Sequence, residues 1–440
     1  GIPFLFLAKA VSKILIFGGI MMSQSLLKEF FKYTSLNITG MVGLSCYILA
    51  DTYFVSKGLG STGLAALNLA IPVFSFIHGS GLMLGMGGAT WYSIFRGQQA
   101  YDKCDRVFTN MFFLAIVFSF CFLLTGLFLS DVLTLILGAD AKTAGMTRIY
   151  LKVLLLFSPA FMMNDLLTCF VRNDQNPRLA MMAMLIGSLS NIALDYIFIF
   201  PLHLGILGAV LATGAAPLIG MLILSPHFLQ KRNGFHIRGE MPDRKVILSS
   251  LSLGFSSLVT EVSSGIVIIV FNIIILGLAG NVGIASYGVI ANLSLVVIAI
   301  YTGMAQGMQP LVSQAYGKGD RSCTFRLLRY GLTSVLLLSA AIYGILFGFA
   351  EPIVRIFNSE GNALLQEIAV PGMKLYFLAV PFAGINILLS LFFTSTDQAV
   401  PAQAISISRG FALIIPSALL LARIQGMSKK RVRGLLRELY

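Results

Sequence analysis

Apolar runs of about 20 residues recur from residue 33 to residue 424, separated by short polar connections. A run of that length crosses the hydrocarbon core of a bilayer as a helix, because a helix satisfies its own backbone groups where no water can. Spans are expected near 33–56, 62–94, 107–130, 146–171, 178–200, 205–228, 247–278, 283–315, 324–350, 367–394 and 399–424, about eleven in all. The fold class is therefore an all-α polytopic membrane protein, 57% hydrophobic and only 11% charged.

The net charge of +13 is spread over short loops and alternates in character along the chain. Lys28 and Lys32 precede the first span, Arg96, Lys103 and Arg106 follow the second, and Arg172 and Arg178 follow the fourth. Five bases (Lys231, Arg232, Arg238, Arg244, Lys245) follow the sixth span, and Lys318, Arg321, Arg326 and Arg329 follow the eighth. The intervening loops are poor in base, and Glu351, Glu360 and Glu367 follow span nine. The positive-inside rule then places the N-terminus and the even-numbered loops in the cytoplasm. Bases dispersed in this way orient a membrane protein and argue against nucleic acid as a partner; membrane lipids are the expected surroundings.

Cys46, Cys104, Cys121, Cys169 and Cys323 show neither pairing nor metal-ligand spacing, so no disulfide and no metal site is expected. A phosphate loop, an HExxH helix and a nucleophile elbow are all missing from the sequence, which gives no reason to read an ATPase, a hydrolase or any other enzyme.

The longest polar connection, LQKRNGFHIRGEMPDRKV at 229–246, reads as a linker between halves at 26–230 and 247–427, with 231–246 as the loop itself. At an offset of 222, Gly81, Gly85, Met86 and Gly97 fall on Gly303, Gly307, Met308 and Gly319. Both stretches end on the same side of the membrane, so the halves form a parallel repeat. Residues 1–25 read as an extension, either an interfacial helix or translated sequence upstream of the native start. The basic tail at 428–440 would fall outside after eleven spans. Either a twelfth span is missing or the tail returns to the interface, and a truncated or frame-shifted terminus is the favoured reading.

Acids inside the spans carry the functional reading, since an ionised side chain at mid-bilayer costs from about 2.5 to well over 10 kcal/mol and persists only where it faces a cavity or a partner. Asp195 shares a helical stripe with Ser188 and Asn191. Asp51 ends a stripe of Asn37, Gly40 and Tyr47, with a water-reaching acid near the outer interface as the plain alternative. Glu261 shares a face with Ser257, Ser264 and Asn272, where a packing hydrogen bond to a neighbouring helix is the alternative. Asn164 and Asp165 read as a helix-packing hydrogen bond, and Gln309 and Gln314 as groups that satisfy backbone freed by Pro310.

Taken together, ADTYFVSKGLG with LAALNLAIP, NIALDYIFI followed by GILGAVLAT, TEVSSGIVIIVFN, and YGVIAN followed by GMQPLVSQAYGKGD resemble the multidrug and toxic compound extrusion family, in its MepA-like branch. The resemblance covers roughly Leu26 to Met427. It implies two six-helix lobes that face alternately in and out and export small cationic amphiphilic drugs in exchange for H⁺ or Na⁺, with no other cofactor. By that resemblance Asp51, Asn191, Asp195 and Thr213 bind the coupling cation, and Glu261 is a second acid for proton or substrate. Tyr47, Asn37 and Asn272 are further candidates near them. A monomer in a bacterial plasma membrane is expected. The alternatives are a lipid-linked glycan flippase of the same superfamily, a truncated remnant that moves nothing, and a channel.

Overall fold

The computed structural model describes residues 24–239, 242–358 and 362–423, so the expected N-terminal extension lies outside it except for Gln24 and Ser25, and the basic tail lies outside it entirely. The first element, α1 (Gln24–Gly97), has 74 residues and breaks at Gly60, with φ 66° and ψ −161°. A 74-residue helix would reach about 110 Å, several bilayer cores, so the break is what folds it into two crossings. That φ/ψ combination is open essentially to glycine alone. There follow α2 (Tyr101–Phe128), the short α3 (Ser130–Ile136), α4 (Ala144–Leu156), α5 (Ser158–Asn173), α6 (Pro177–Ile199) and α7 (Gly205–Leu229). α4 and α5 make one crossing bent by 48°, with Pro159 opening the second piece where its missing N–H costs nothing.

The second half repeats this plan. α8 (Arg244–Gly317) again has 74 residues and breaks at Gly280, with φ 65° and ψ −158°. After it come α9 (Arg321–Gly348), α10 (Ala350–Phe357), α11 (Ala363–Tyr376), α12 (Val380–Ser395) and α13 (Ala399–Ile407), the last continuing through a π turn to Arg423. Among the described residues, nine helices are long and apolar enough to span, or ten with the bent pair joined; the first of them folds into two crossings, which makes eleven.

The register of the repeat differs from the one expected. Gly60 and Gly280, and the terminal Gly97 and Gly317, stand 220 residues apart, and the shift reaches 222 only at Ser158 and Val380. Matching glycines by identity misaligned the pairs because the glycines serve different neighbours. Gly81 and Gly85 lie against α5 of their own half, whereas Gly303 and Gly307 lie against Ile38 and Thr34 of the other half.

Two hydrophobic cores result, one per lobe, and each borrows from the other. Leu27, Phe30 and Ile38 at the start of α1 pack into the C-lobe core, and Val246, Ile247 and Leu251 at the start of α8 pack against the N-lobe core. Contact between the lobes concentrates toward the end that carries the basic loops. A Cβ on Gly254 would lie 1.9 Å from the Met83 carbonyl oxygen, one on Gly87 2.0 Å from that of Ser250, and one on Gly317 2.2 Å from that of Ile94. Gly60, Gly277, Gly280 and Gly288, toward the opposite end, have nothing within 4 Å. The lobes therefore form a V, closed on the basic face and open on the other. Gly254→Ala is expected to cost about 1–3 kcal/mol as an overpacked contact. It should lower the thermal midpoint and widen the distance between spin labels on α1 and α8 at the basic end.

The described part of the connection, at 229–239 and 242–243, is bound to the N-lobe. Phe235 is fully buried against Tyr92, Phe108, Phe170 and Phe228. The His236 N–H donates to Asp105 (2.9 Å), the Arg238 N–H to Thr109 (3.0 Å) and the Asp243 N–H to Asn110 (3.1 Å). Asp174, just past α5, accepts from Tyr92 Oη (2.6 Å), His227 Nε2 (2.8 Å) and the Gly234 N–H (2.7 Å), and pairs with Arg96. Burial would push this carboxyl up, but the hydrogen bonds from His227, Tyr92 and Gly234, with Arg96 beside it, hold it below its ordinary 3.8. A depressed carboxylate stabilises fully above the ordinary value, and the effect fades only as pH falls through the lower, folded value. Hydrogen-exchange protection at Gly234 and Phe235 is expected to stay constant from pH 8 to pH 5. It should drop at least tenfold in Asp174→Asn.

Candidate functional site

A cleft open to solvent lies in the N-lobe between α1, α5, α6 and α7, with Gln306 of the C-lobe also in its lining. Tyr47, Phe74 and Phe161 supply aromatic walls, Met41 and Met184 flexible ones, and Asp165, His78, Asn164, Thr168 and Thr213 the polar groups. Its mixed lining of aromatic, thioether and polar groups suits an amphiphilic ligand.

Behind this cleft the structure gathers the four residues expected at the coupling site. Asp195 and Asn191 are fully buried on one stripe of α6, Thr213 faces them from α7, and Asp51 is 7% exposed on α1. Asn191 donates to Asp195 Oδ2 at 3.1 Å and accepts from the Thr213 N–H at 3.2 Å. Asp51 and Asp195 interact electrostatically, yet Asp51 Oδ1 and Asp195 Oδ1 have no hydrogen-bond partner among the described residues. Two orphaned carboxyl oxygens in a dry site are acceptors for a positive charge. Such burial also rules out the water-reaching reading of Asp51.

Tyr150, on α4, is buried beside the group and interacts electrostatically with Asp51 and Asp195. The sequence reading missed it, since a lone tyrosine in an apolar helix carries no periodic signal. Tyr47 lines the cleft and interacts with Asp51. The C-lobe lacks a counterpart: repeat positions of Asp51, Asn191 and Asp195 are Phe271, Leu413 and Ser417.

Glu261 does not join these acids. It lines a separate space of about 400 Å³ with Thr260, Gln306 and Arg409, and it interacts electrostatically with Arg409. Asn272 lies about 16 Å further along the same helix and makes no hydrogen bond with Glu261.

Asn37 belongs elsewhere, about 21 Å along α1 from Asp51. There it donates to the Gly303 carbonyl (2.9 Å) and accepts from Arg172 (2.9 Å). Arg172 also reaches Gln306 of the C-lobe (3.1 Å), while Asn173 donates to Gln309 (2.9 Å), which donates to Thr90 (3.0 Å). Gln309 thus joins the lobes, and its amide is engaged away from the backbone near Pro310. Asp165 makes the expected helix-packing hydrogen bond, to His78 of α1, and its carboxylate also faces the cleft.

The fold is shared with solved structures. A transporter from Pyrococcus furiosus, whose binding pocket is described as having reverse polarity that suggests a different function, matches 90% of this chain and 88% of its own, with a TM-score of 0.83 and 23% identity. An outward-facing multidrug resistance transporter of the same superfamily matches 93% and 96%, with a TM-score of 0.83 and 22% identity. Among curated proteins, the multidrug export protein MepA of Staphylococcus saprophyticus is 25% identical over 370 residues, 84% of this chain and 81% of its own. MepA of Staphylococcus aureus strain NCTC 8325 is 26% identical over 388 residues, 87% and 84%. The MatE family profile matches twice, over residues 38–197 and 255–420, once in each half of the repeat. This polytopic chain is a transporter and no enzyme, and it belongs to the MatE family.

Proposed function

We propose that this chain is a cation-coupled multidrug efflux antiporter of a bacterial plasma membrane, exporting cationic amphiphilic compounds by alternating access. The observation that carries the reading is the pair of buried, mutually interacting carboxyls, Asp51 and Asp195, with orphaned oxygens behind an aromatic cleft. Two such acids hold one positive charge between them, as a proton or as Na⁺ with Asn191 and Thr213 as further oxygen ligands. The basic face is cytoplasmic, and so is the N-terminus, which makes the V an outward-open state. Cation entry from outside neutralises the acids and favours one lobe arrangement; cation release to the cytoplasm favours the other. Coupling requires only that the ion bind the two arrangements with different affinity. The chain acts as a monomer, since one chain supplies both the paired acids and the lining of the cleft.

Ethidium efflux from cells expressing the chain tests this, under an imposed pH gradient and then an imposed Na⁺ gradient, beside Asp195→Asn. Efflux driven by neither gradient would sink the antiporter; current that needs no exchanged ion would point to a channel.

A further inference from the structure

The coupling acids do not line the cleft; Asp165 does. Asp195 is fully buried, and neither Asp51, Asn191 nor Asp195 borders the cleft. Asp165 is the acid in its wall, with a side chain 11% exposed. Its position is built rather than incidental. His78 Nδ1 bonds to Asp165 Oδ2 at 2.8 Å, and His78 is itself held by Phe74, whose ring stacks on it at 5.8 Å and 9°. Phe161 then meets Phe74 edge-on at 5.6 Å, so aromatic faces stand beside the carboxylate. Gly81 makes the arrangement possible, since a Cβ there would lie 2.6 Å from Asp165 Oδ2. Among the described residues, His78 is the carboxylate's one hydrogen-bond partner, and it engages one of the two oxygens.

We propose that Asp165, oriented by His78, is the anionic seat for the charged group of the exported aromatic cation, separate from the acids that take the coupling ion. This rests on the exporter reading above and deepens it. His78 already pairs with one oxygen of that carboxylate, and the other base in the cleft lining is Arg172. Arg172, also in the cleft wall, lies about 10 Å further along α5, with its guanidinium bonded to Asn37, Gln306 and the sulfurs of Met86 and Cys169. Glu261, on α8, adds negative potential at His78. A planar cation can stack on Phe74 or Phe161 while its charge meets the free Asp165 oxygen. Thr213 borders both the cleft and the coupling site, so drug and ion sit on two sides of one residue and act on each other without sharing a carboxylate.

The test is equilibrium binding to the purified full chain of two fluorescent ring systems, ethidium and the uncharged phenanthridine, followed by anisotropy at pH 8. Asp165→Asn is expected to raise the ethidium Kd at least tenfold and leave phenanthridine within about twofold. Gly81→Ala keeps the acid but displaces it, and should weaken ethidium in the same selective way; it also serves if Asp165→Asn fails to fold. Asp195→Asn should abolish exchange while its ethidium Kd stays within about threefold. Equal loss of both dyes in Asp165→Asn, unchanged ethidium binding there, a tenfold loss in Asp195→Asn, or no ethidium binding by the native chain would each overturn the seat. Failure of the exporter reading is seen separately, as native chain that binds ethidium at Asp165 but moves none under either gradient.

Discussion

Asp195→Asn is expected to bring gradient-driven ethidium efflux down to the background of cells lacking the protein, while the amount of inserted chain stays the same. Asparagine has nearly the volume of aspartate and can still meet the Asn191 amide, so packing around α6 is kept. What disappears is one of two negative charges in a site where both acids have an orphaned oxygen. With Asp51 alone, the site no longer has the paired charge that captures a cation on one side and must release it on the other. A ligand that inverts a two-state equilibrium from 1:99 to 99:1 needs about 10⁴-fold preference for one state. A single neutralised carboxyl removes most of that preference. Efflux above a tenth of the native rate in this variant would place coupling elsewhere in the chain.

The second large effect is expected at Arg172→Leu. Arg172 is 2% exposed and reaches Asn37 on one side and Gln306 on the other, with no carboxylate among its hydrogen-bond partners. It is thus a buried charge held by neutral oxygens, which ties α5 to α1 and to the C-lobe stretch of α8. Hydrogen bonds to a charged group are worth about 1.5–3 kcal/mol each, so losing two shifts the balance between lobe arrangements by at least tenfold toward opening on the basic face. Cys169 reports on this directly, because it lines the cleft, lies 3.6 Å from the guanidinium and is only 2% exposed. With the other four cysteines replaced, maleimide labelling of Cys169 from the cytoplasmic side should rise about tenfold in the leucine variant, and efflux should fall by a similar factor. Labelling that stays at the native rate would mean the contact does not hold the face shut.

Much of this was legible beforehand because a bilayer simplifies the problem. Length and hydropathy placed the eleven crossings, and the stripe on α6 put Asn191 beside Asp195 before any coordinates. The residues that escaped are those whose partners come from distant helices. His78 looks like a lone polar residue on an apolar face until Asp165 arrives from α5, 87 positions later. Tyr150 gains meaning only from Asp51 and Asp195, and Asn37 from Gly303 and Arg172. Periodicity reports which face of a helix is polar, not which helix that face will meet. Composition marks 229–246 only as polar and does not show that Phe235 is buried or that Asp174, Asp105 and Asn110 hold its described part.

The exchange of helix ends between the two cores bears on how the chain can be made. Phe30 meets Tyr330 edge-on at 5.8 Å, and Asn37 meets Gly303 across 266 residues, so the first crossing waits through nearly the whole of synthesis for its neighbours. Contacts of such long sequence separation form late and slowly. The N-lobe thus emerges from the ribosome with a greasy end unclaimed, and the start of α8 leaves the second half already committed to the first. Each half therefore leaves part of its core to be filled by the other, and both cores are complete only when the two halves meet in one membrane.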